Sequence, residues 1–397
     1  MTSNSATHQY LAVTLSYWAF TLSDGALRML ILLFFYEQGF SPMELAALFL
    51  LYEFFGMITN LYGGWLGVRI GLTFTLQLGL TLQILALSLL LVDPSIMTAL
   101  YVMVAQAISG IAKDLSKMSA KSSIKLLLPD EAQHRLYRWI SLLTGSKNTL
   151  KGLGYFLGGA MLAFMGFQNS VLALDILLAL TLISSFLILE KRQGNFKVKF
   201  SQILSKSAMI NRLSAARFFL FCSRDVWFVI ALPVYLQSQL GWQFVEVSGL
   251  LAAWIIFYGI IQTLAPNITG QTKTAHPDRQ TLVQWGTILS SLPLLLALAL
   301  YLNIEPGMTL VLGLLIYGAC FAINSSVHSY LIVAFAQREA VSLDVGFYYM
   351  ANAGGRLAGT LLSGFLYQAS GLIACLIFSS VLIILSTLAA QSIPPSN

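Results

Sequence analysis

The sequence predicts an all-α membrane protein with twelve transmembrane helices in two pseudo-symmetric six-helix halves. Of its 397 residues, 57% are hydrophobic and only 10% are charged, whereas a soluble protein has about 25% charged residues. A spanning helix needs roughly 20 mostly apolar residues, and the chain contains a dozen such runs. A glycine-rich motif also recurs 205 residues later in the chain. Together these observations indicate two similar bundles within a lipid bilayer.

The apolar runs are bounded by glycine, proline and charged residues, which gives approximate limits for each span. The first run is too long for the apolar region of a signal peptide and lacks a basic region before it, so it is predicted to be the first span. A basic segment, 191–211, is predicted to link an N-terminal bundle, 1–190, to a C-terminal bundle, 212–397. The predicted spans are 10–37, 43–66, 73–92, 96–120, 138–165, 170–189, 210–239, 244–266, 281–302, 308–335, 342–368 and 371–390.

Charges in the predicted loops indicate the orientation of the chain. Lysines and arginines occur on one side only, at Arg69, Lys121, Lys125, Arg135, Arg138, Lys191 to Arg212, Lys273, Arg279 and Arg338. Cytoplasmic loops of membrane proteins carry this excess of basic residues. The sequence therefore predicts a multi-pass membrane protein with both termini and the linker in the cytoplasm.

The two halves resemble each other in sequence. KGLGYFLGG (151–159) aligns with RLAGTLLSG (356–364), which places Lys151 on Arg356 and Gly154 on Gly359. Asp24 in the first span likewise corresponds to Asp225 in the seventh. Repeated halves are typical of secondary transporters, which bind substrate near the bilayer midplane where the repeats meet.

A short motif after the second span points to a particular superfamily. GGWLGVRIGLTFTL (63–76) resembles the G-x-x-x-D-R-x-G-R-R signature of the major facilitator superfamily. Gly64 and Arg69 match, but Val68 stands where the acid is expected and the final basic pair is missing. In the fourth span, Gln106 replaces the arginine of the superfamily's R-x-x-x-G pattern. We therefore expect neither the gating salt bridge usually assigned to this turn nor proton coupling through that arginine.

Ionisable residues within the spans are the main functional signal. A lysine or arginine at bilayer depth costs at least about 2.5–3.5 kcal/mol and requires a counter-charge or a watery cavity. The cations outnumber the acids, which predicts an anionic small-molecule substrate. Predicted substrate-binding residues are Arg28, Lys113, Lys117, Lys147, Lys151, Arg217, Arg224, Asn352 and Arg356. Candidate proton-coupling or ion-pairing acids are Asp24, Glu53, Asp114 and Asp225.

Some of these charges have an alternative, structural interpretation. Asp24 and Arg28 are four residues apart on one helix, and Asp114 and Lys117 are three apart, so each pair could be neutralised locally. His328 could carry a proton, although a single buried histidine is more often a packed core residue. The three cysteines are isolated in apolar runs, so we predict no metal site, no cofactor and no disulfide framework. No P-loop occurs, which leaves ATP hydrolysis unsupported.

Six longer strings, at 17–32, 48–67, 109–126, 143–159, 211–229 and 348–364, are distributed over nearly the whole chain. They resemble the ArsJ-type organoarsenical efflux permeases. This resemblance implies the major facilitator fold and export of 1-arseno-3-phosphoglycerate, a polyanion made by a companion glyceraldehyde-3-phosphate dehydrogenase. It implies arsenate resistance through a functional, not a physical, partnership with that enzyme. The strings are YWAFTLSDGALRMLIL (17–32), LFLLYEFFGMITNLYGGWLG (48–67), SGIAKDLSKMSAKSSIKL (109–126), LTGSKNTLKGLGYFLGG (143–159), NRLSAARFFLFCSRDVWFV (211–229) and YYMANAGGRLAGTLLSG (348–364).

The leading hypothesis is therefore a monomeric secondary transporter that exports an anionic organoarsenical by alternating access and binds no nucleic acid. An organophosphate uptake or exchange carrier would need the same cationic residues and stays open as an alternative. A multidrug exporter of cations is disfavoured because buried lysine and arginine would repel its substrate. A membrane-embedded enzyme acting on a phosphorylated lipid is disfavoured because no cluster of histidines or paired carboxylates lies near one face.

Overall fold

The computed structural model describes residues 3–40, 48–190, 207–269 and 276–394, and within these ranges all regular structure is helical. Two single turns of 3₁₀-helix, Pro94–Ile96 and Arg338–Ala340, lie in connections. The α-helices are α1 (Ser3–Glu37), α2 (Leu50–Ile70), α3 (Leu72–Leu89), α4 (Ala99–Leu127), α5 (Gln133–Ile188), α6 (Ala208–Phe228), α7 (Ala231–Ser238), α8 (Phe244–Ile268), α9 (Arg279–Tyr301), α10 (Pro306–Phe335) and α11 (Val341–Gln391).

The helices α5 and α11 each contain two membrane spans. They are 56 and 51 residues long, far more than the roughly 20 residues that cross a bilayer. Each is interrupted at a glycine with positive φ, 73° at Gly166 and 74° at Gly371, a conformation that glycine adopts without steric cost. These kinks fall between predicted spans five and six and between predicted spans eleven and twelve. They are also 205 residues apart, the offset of the repeated motif.

The remaining helices account for the other predicted spans with shifted limits. The predicted seventh span is the pair α6 and α7, separated by Val229 and Ile230. The fourth span was expected to end at 120, but α4 continues to Leu127. Its last two turns are polar yet buried, including Lys121 and Lys125. Tertiary packing therefore extends this helix beyond the point where its apolar run ends.

The chain folds into two compact units. Unit 1 comprises residues 1–132, 146–205 and 336–347, and unit 2 comprises residues 133–145, 206–335 and 348–397. The core of unit 1 includes Leu27, Leu80 and Phe20, and that of unit 2 includes Leu232, Trp227 and Phe321. Residues 191–206 of the predicted linker lie outside the described residues, so the predicted domain boundaries stay a prediction.

Glycines permit two close helix crossings at equivalent places in the two units. In unit 1, a Cβ on Gly154 would lie 2.8 Å from the carbonyl oxygen of Leu22. In unit 2, a Cβ on Gly359 would lie 2.6 Å from the carbonyl oxygen of Cys222 and 3.0 Å from the Cβ of Asp225. Small residues of this kind let helix backbones approach closely. Each crossing brings the helix that carries an aspartate, Asp24 or Asp225, against the helix that carries Lys151 or Arg356.

We expect Gly359→Val to destabilise the protein. The new side chain would meet backbone atoms, which have little freedom to move, and overpacking of this kind costs about 1–3 kcal/mol or more. Thermal unfolding of the purified protein in detergent measures the effect. Gly249→Val is the matched control, because a Cβ on Gly249 meets nothing within 4 Å. Equal melting temperatures for both variants would contradict the close crossing.

Candidate functional site

Two groups of charged side chains occur in the membrane spans, one in each unit. The N-cluster, in unit 1, is carried by α1, α2, α4 and α5. The C-cluster, in unit 2, is carried by α6, α10 and α11. The N-cluster consists of Asp24, Arg28, Tyr52, Glu53, Lys113, Asp114, Lys117, Lys147 and Lys151. The C-cluster consists of Arg217, Phe221, Arg224, Asp225, Ser325, Asn352 and Arg356.

Glu53 links two cations of the N-cluster. Its Oε1 lies 3.0 Å from Nη2 of Arg28, and its Oε2 lies 3.8 Å from Nζ of Lys113. Lys113 Nζ is also 3.8 Å from Oδ2 of Asp114, whose Oδ1 pairs with Lys117. The predicted pair Asp114–Lys117 therefore forms. The predicted pair Asp24–Arg28 does not, since Arg28 turns to a carboxylate on the neighbouring helix.

Asp24 instead accepts a hydrogen bond from Tyr52, a residue that we had not expected in the site. The two oxygens are 2.6 Å apart, and Tyr52 is only 1% exposed. The ring of Tyr52 also contacts two cations, with Lys113 Nζ at 3.9 Å and Arg28 Cζ at 4.9 Å from the ring centroid. Cations are attracted to aromatic faces. Tyr52 thus holds an acid through its hydroxyl and two cations through its ring.

Lys147 and Lys151 differ from the other cations of the N-cluster. They lie one turn apart on α5 and are partly exposed, and neither forms an ion pair with any residue that the structure describes. Both experience the positive charge of Lys113. The N-cluster as a whole has five cations and three carboxylates. Because the other three cations pair with carboxylates, the surplus of two positive charges in the N-cluster corresponds to Lys147 and Lys151.

We expect Tyr52→Phe to lower the stability of the protein. The substitution keeps the ring but removes the hydroxyl donor and leaves the buried carboxylate of Asp24 without this partner, a loss of about 1–3 kcal/mol. The melting temperature in detergent should fall. Tyr62→Phe is the control, since Tyr62 lies on the same helix and is exposed. An unchanged melting temperature for Tyr52→Phe would show that the hydrogen bond to Asp24 does not stabilise the fold.

In the C-cluster a single carboxylate serves two arginines. Asp225 is fully buried, with Oδ1 2.6 Å from Nε of Arg224 and Oδ2 3.3 Å from Nε of Arg356. Arg217 has neutral partners, donating to Oδ1 of Asn352 and to Oγ of Ser325, each at 2.9 Å. Three arginines and one carboxylate again leave two positive charges in excess. Both clusters thus have the same surplus.

Phe221 lies among these arginines and was also not expected from the sequence. Its ring centroid is 4.0 Å from Cζ of Arg217 and 4.7 Å from Cζ of Arg224. The spacing could have indicated it, because residues 217, 221 and 224 are separated by four and three positions and share one helix face. Ser325 has no comparable signal, since its role depends on α10 packing against α6.

Several polar and aromatic residues lie in the interior of unit 2. Trp254 donates to the carbonyl oxygen of Leu314 at 2.9 Å and stacks on Tyr258. His328 is buried, and its Nδ1 has no hydrogen-bond partner in the part of the chain that the structure describes. Among the described residues, no group of three potential metal ligands comes together, and the three cysteines are free thiols.

An ion-pair network in unit 1 lies outside the spans. Asp130, in the connection between α4 and α5, pairs with Arg338 at 3.1 Å and with Lys125 at 3.6 Å. Hydrogen bonds from Arg338 hold the pKa of the Asp130 carboxyl below its usual value. Arg338 also donates to the carbonyl oxygen of Leu128. An acid–arginine ion pair therefore occurs in the connection between α4 and α5. In the superfamily motif itself, Val68 occupies the position where an acid is expected.

Solved structures share this fold from end to end. The human organic anion transporter MFSD10 matches with a TM-score of 0.73 at 16% identity, covering 97% of this chain and 99% of its own. The fucose:proton symporter FucP of E. coli matches with a TM-score of 0.72 at 16% identity, covering 98% and 100%. A bacterial homologue of the iron transporter ferroportin matches with a TM-score of 0.74 at 11% identity, covering 98% of each chain. At these identities the likeness concerns the fold alone.

Sequence comparison identifies the family. No curated protein matches the chain significantly. The family model described as Major Facilitator Superfamily matches residues 13–274, which is more than half of the chain. The helical architecture, the two kinks at equivalent glycines and the full-length structural matches agree with that assignment. The chain therefore belongs to the Major Facilitator Superfamily and is a membrane transporter of that type.

Proposed function

We propose that the protein exports an anionic organoarsenical, 1-arseno-3-phosphoglycerate, from the cytoplasm by alternating access and so confers resistance to arsenate. The observation that carries this proposal is the surplus of positive charge in the two clusters. In the N-cluster the surplus takes the form of two lysines without an acidic partner among the described residues. In the C-cluster it takes the form of three arginines, of which two share the carboxylate of Asp225 and the third, Arg217, has neutral partners.

The energetic argument favours an anionic substrate. Cations within a membrane span are costly unless they are paired or face a water-filled cavity. An arriving anion would supply the missing counter-charge, whereas a cationic substrate would be repelled. Arginine also presents a planar set of donors that matches the oxygens of phosphate-like groups, and lysine supplies a compact point charge. A passenger with a phosphate at one end and an arsenate ester at the other carries oxyanion groups of the kind that such residues bind.

The proposed direction of transport follows from charge and orientation. We infer from the positive-inside pattern that both termini lie in the cytoplasm of a bacterial inner membrane. Expelling an anion from a cell that is negative inside gains about 2.3 kcal/mol per charge per 100 mV. Export is therefore feasible without a coupling ion. The proposal includes a functional link to a glyceraldehyde-3-phosphate dehydrogenase that makes the ester, and a monomeric transporter.

Arsenate sensitivity provides the first test. Expression in an arsenate-sensitive bacterium together with the dehydrogenase should restore growth on arsenate, and cells loaded with radiolabelled arsenate should lose label faster than cells without the transporter. Omitting the dehydrogenase should abolish both effects. Continued export after addition of a protonophore would indicate that no proton gradient is needed. Uptake of organophosphate without any gain in resistance would instead favour the uptake or exchange carrier.

A further inference from the structure

Each cluster places an aromatic ring against two cations. In unit 1 the ring of Tyr52 contacts Arg28 and Lys113. In unit 2 the ring of Phe221 contacts Arg217 at 4.0 Å and Arg224 at 4.7 Å. The two arrangements differ in origin. Tyr52 and its two cations lie on different helices, whereas Phe221 lies on α6 together with both arginines. The same combination in two separate units suggests that the ring has a role beyond filling space.

Phe221 is buried, at 7% exposure, and so is fixed in place. Its face is electronegative and attracts guanidinium groups. The two arginines that it contacts have different further partners: Arg217 is bound by the neutral Asn352 and Ser325, and Arg224 by Asp225. Among the described residues, the ring of Phe221 is the aromatic group that contacts both guanidinium groups, and its attraction for each offsets part of the repulsion between them.

We propose that Phe221 is a positioning residue that holds Arg217 and Arg224 in place before substrate arrives, so that the C-cluster is already ordered when the oxyanion of the passenger binds. This inference rests on the proposed anionic substrate. Side chains already held in their binding conformation lose less entropy when the ligand binds. Weakening the attraction between ring and cations should therefore weaken anion binding while leaving the packing of α6 unchanged.

Fluorinated phenylalanines distinguish the attraction between the ring and the cations from the packing of the ring. Successive fluorine atoms withdraw electron density from the ring face and weaken cation binding, but they barely change the size of the side chain. We would incorporate 4-fluoro-, 3,5-difluoro- and 3,4,5-trifluorophenylalanine at position 221 and titrate each purified protein with 3-phosphoglycerate. The same series at Phe219 is the matched control, because Phe219 lies on the same helix, packs against the core of unit 2 and contacts no cation among the described residues.

The dissociation constant for 3-phosphoglycerate should rise stepwise with fluorination at 221, to about tenfold for the trifluoro side chain, while melting temperatures and the Phe219 series stay constant. Equal affinities across the Phe221 series, with binding by the unmodified protein intact, would overturn the positioning role alone. An equal rise in the Phe219 series would also overturn it, since the effect would then be one of packing. Absence of binding by the unmodified protein would overturn both this inference and the proposed function.

Discussion

Replacing Lys151 with methionine is expected to abolish export while leaving the protein folded. Lys151 has no acidic partner among the described residues, so its removal leaves no buried carboxylate unpaired. It also relieves repulsion from the neighbouring cations of the N-cluster. A hydrogen bond between a charged donor and an anion contributes about 1.5–3 kcal/mol, or roughly 10- to 150-fold in affinity. Radiolabel efflux from cells and the melting temperature of the purified variant measure the two properties.

Arg135→Met is the matched control for this experiment. Arg135 lies on the same helix as Lys151 but is exposed near the start of α5. We expect this variant to export normally, which would show that loss of any positive charge on α5 is not sufficient. Export at the normal rate by Lys151→Met would mean that Lys151 does not contact the substrate. Loss of folding in Lys151→Met would mean that it has a structural role.

Replacing Asp225 with asparagine should destabilise the protein strongly, in contrast to the replacement of Lys151. Asp225 is fully buried and is the carboxylate that pairs with both Arg224 and Arg356. Removing one partner of a buried ion pair costs about 3–5 kcal/mol, because it leaves an uncompensated charge. We therefore expect a large fall in melting temperature and in the amount of protein in the membrane.

A second substitution separates the structural from the functional role of the C-cluster. Adding Arg356→Met to Asp225→Asn removes one of the two arginines that paired with Asp225, so much of the lost stability should return. Transport should not return, because Arg356 is one of the proposed donors to the substrate. Arg356→Met alone should abolish transport with little effect on folding, since Asp225 keeps Arg224. Recovery of transport in the double variant would assign Arg356 a structural role only.

Periodicity and composition were sufficient to predict the helical architecture. The spans, the repeat and the kinks depend on properties that are local in sequence: apolar runs of sufficient length, and glycine where the backbone reverses. The offset of 205 residues between Gly166 and Gly371 is the same as that between Lys151 and Arg356. The local sequence was less informative at the end of α4. Burial against other helices extends α4 through the polar segment that contains Lys121.

The partners of the charged residues could be predicted only in part. Residues three or four apart on one helix are neighbours, which correctly paired Asp114 with Lys117. The same rule paired Arg28 with Asp24, but Arg28 contacts Glu53 on α2 and Asp24 contacts Tyr52. Contacts between helices depend on how each helix is rotated against its neighbour, and one sequence does not specify that rotation. Tyr52 and Ser325 were missed for this reason.

The account depends on one claim, that the surplus positive charge of the two clusters binds an anion. Titrating the purified protein with 3-phosphoglycerate at increasing salt, with uncharged glycerol as the comparison ligand, tests it most directly. We predict saturable binding of 3-phosphoglycerate that weakens as salt increases, because ions screen charge interactions, and no binding of glycerol. Equal binding of the two ligands, or binding of 3-phosphoglycerate that salt leaves unchanged, would contradict the claim.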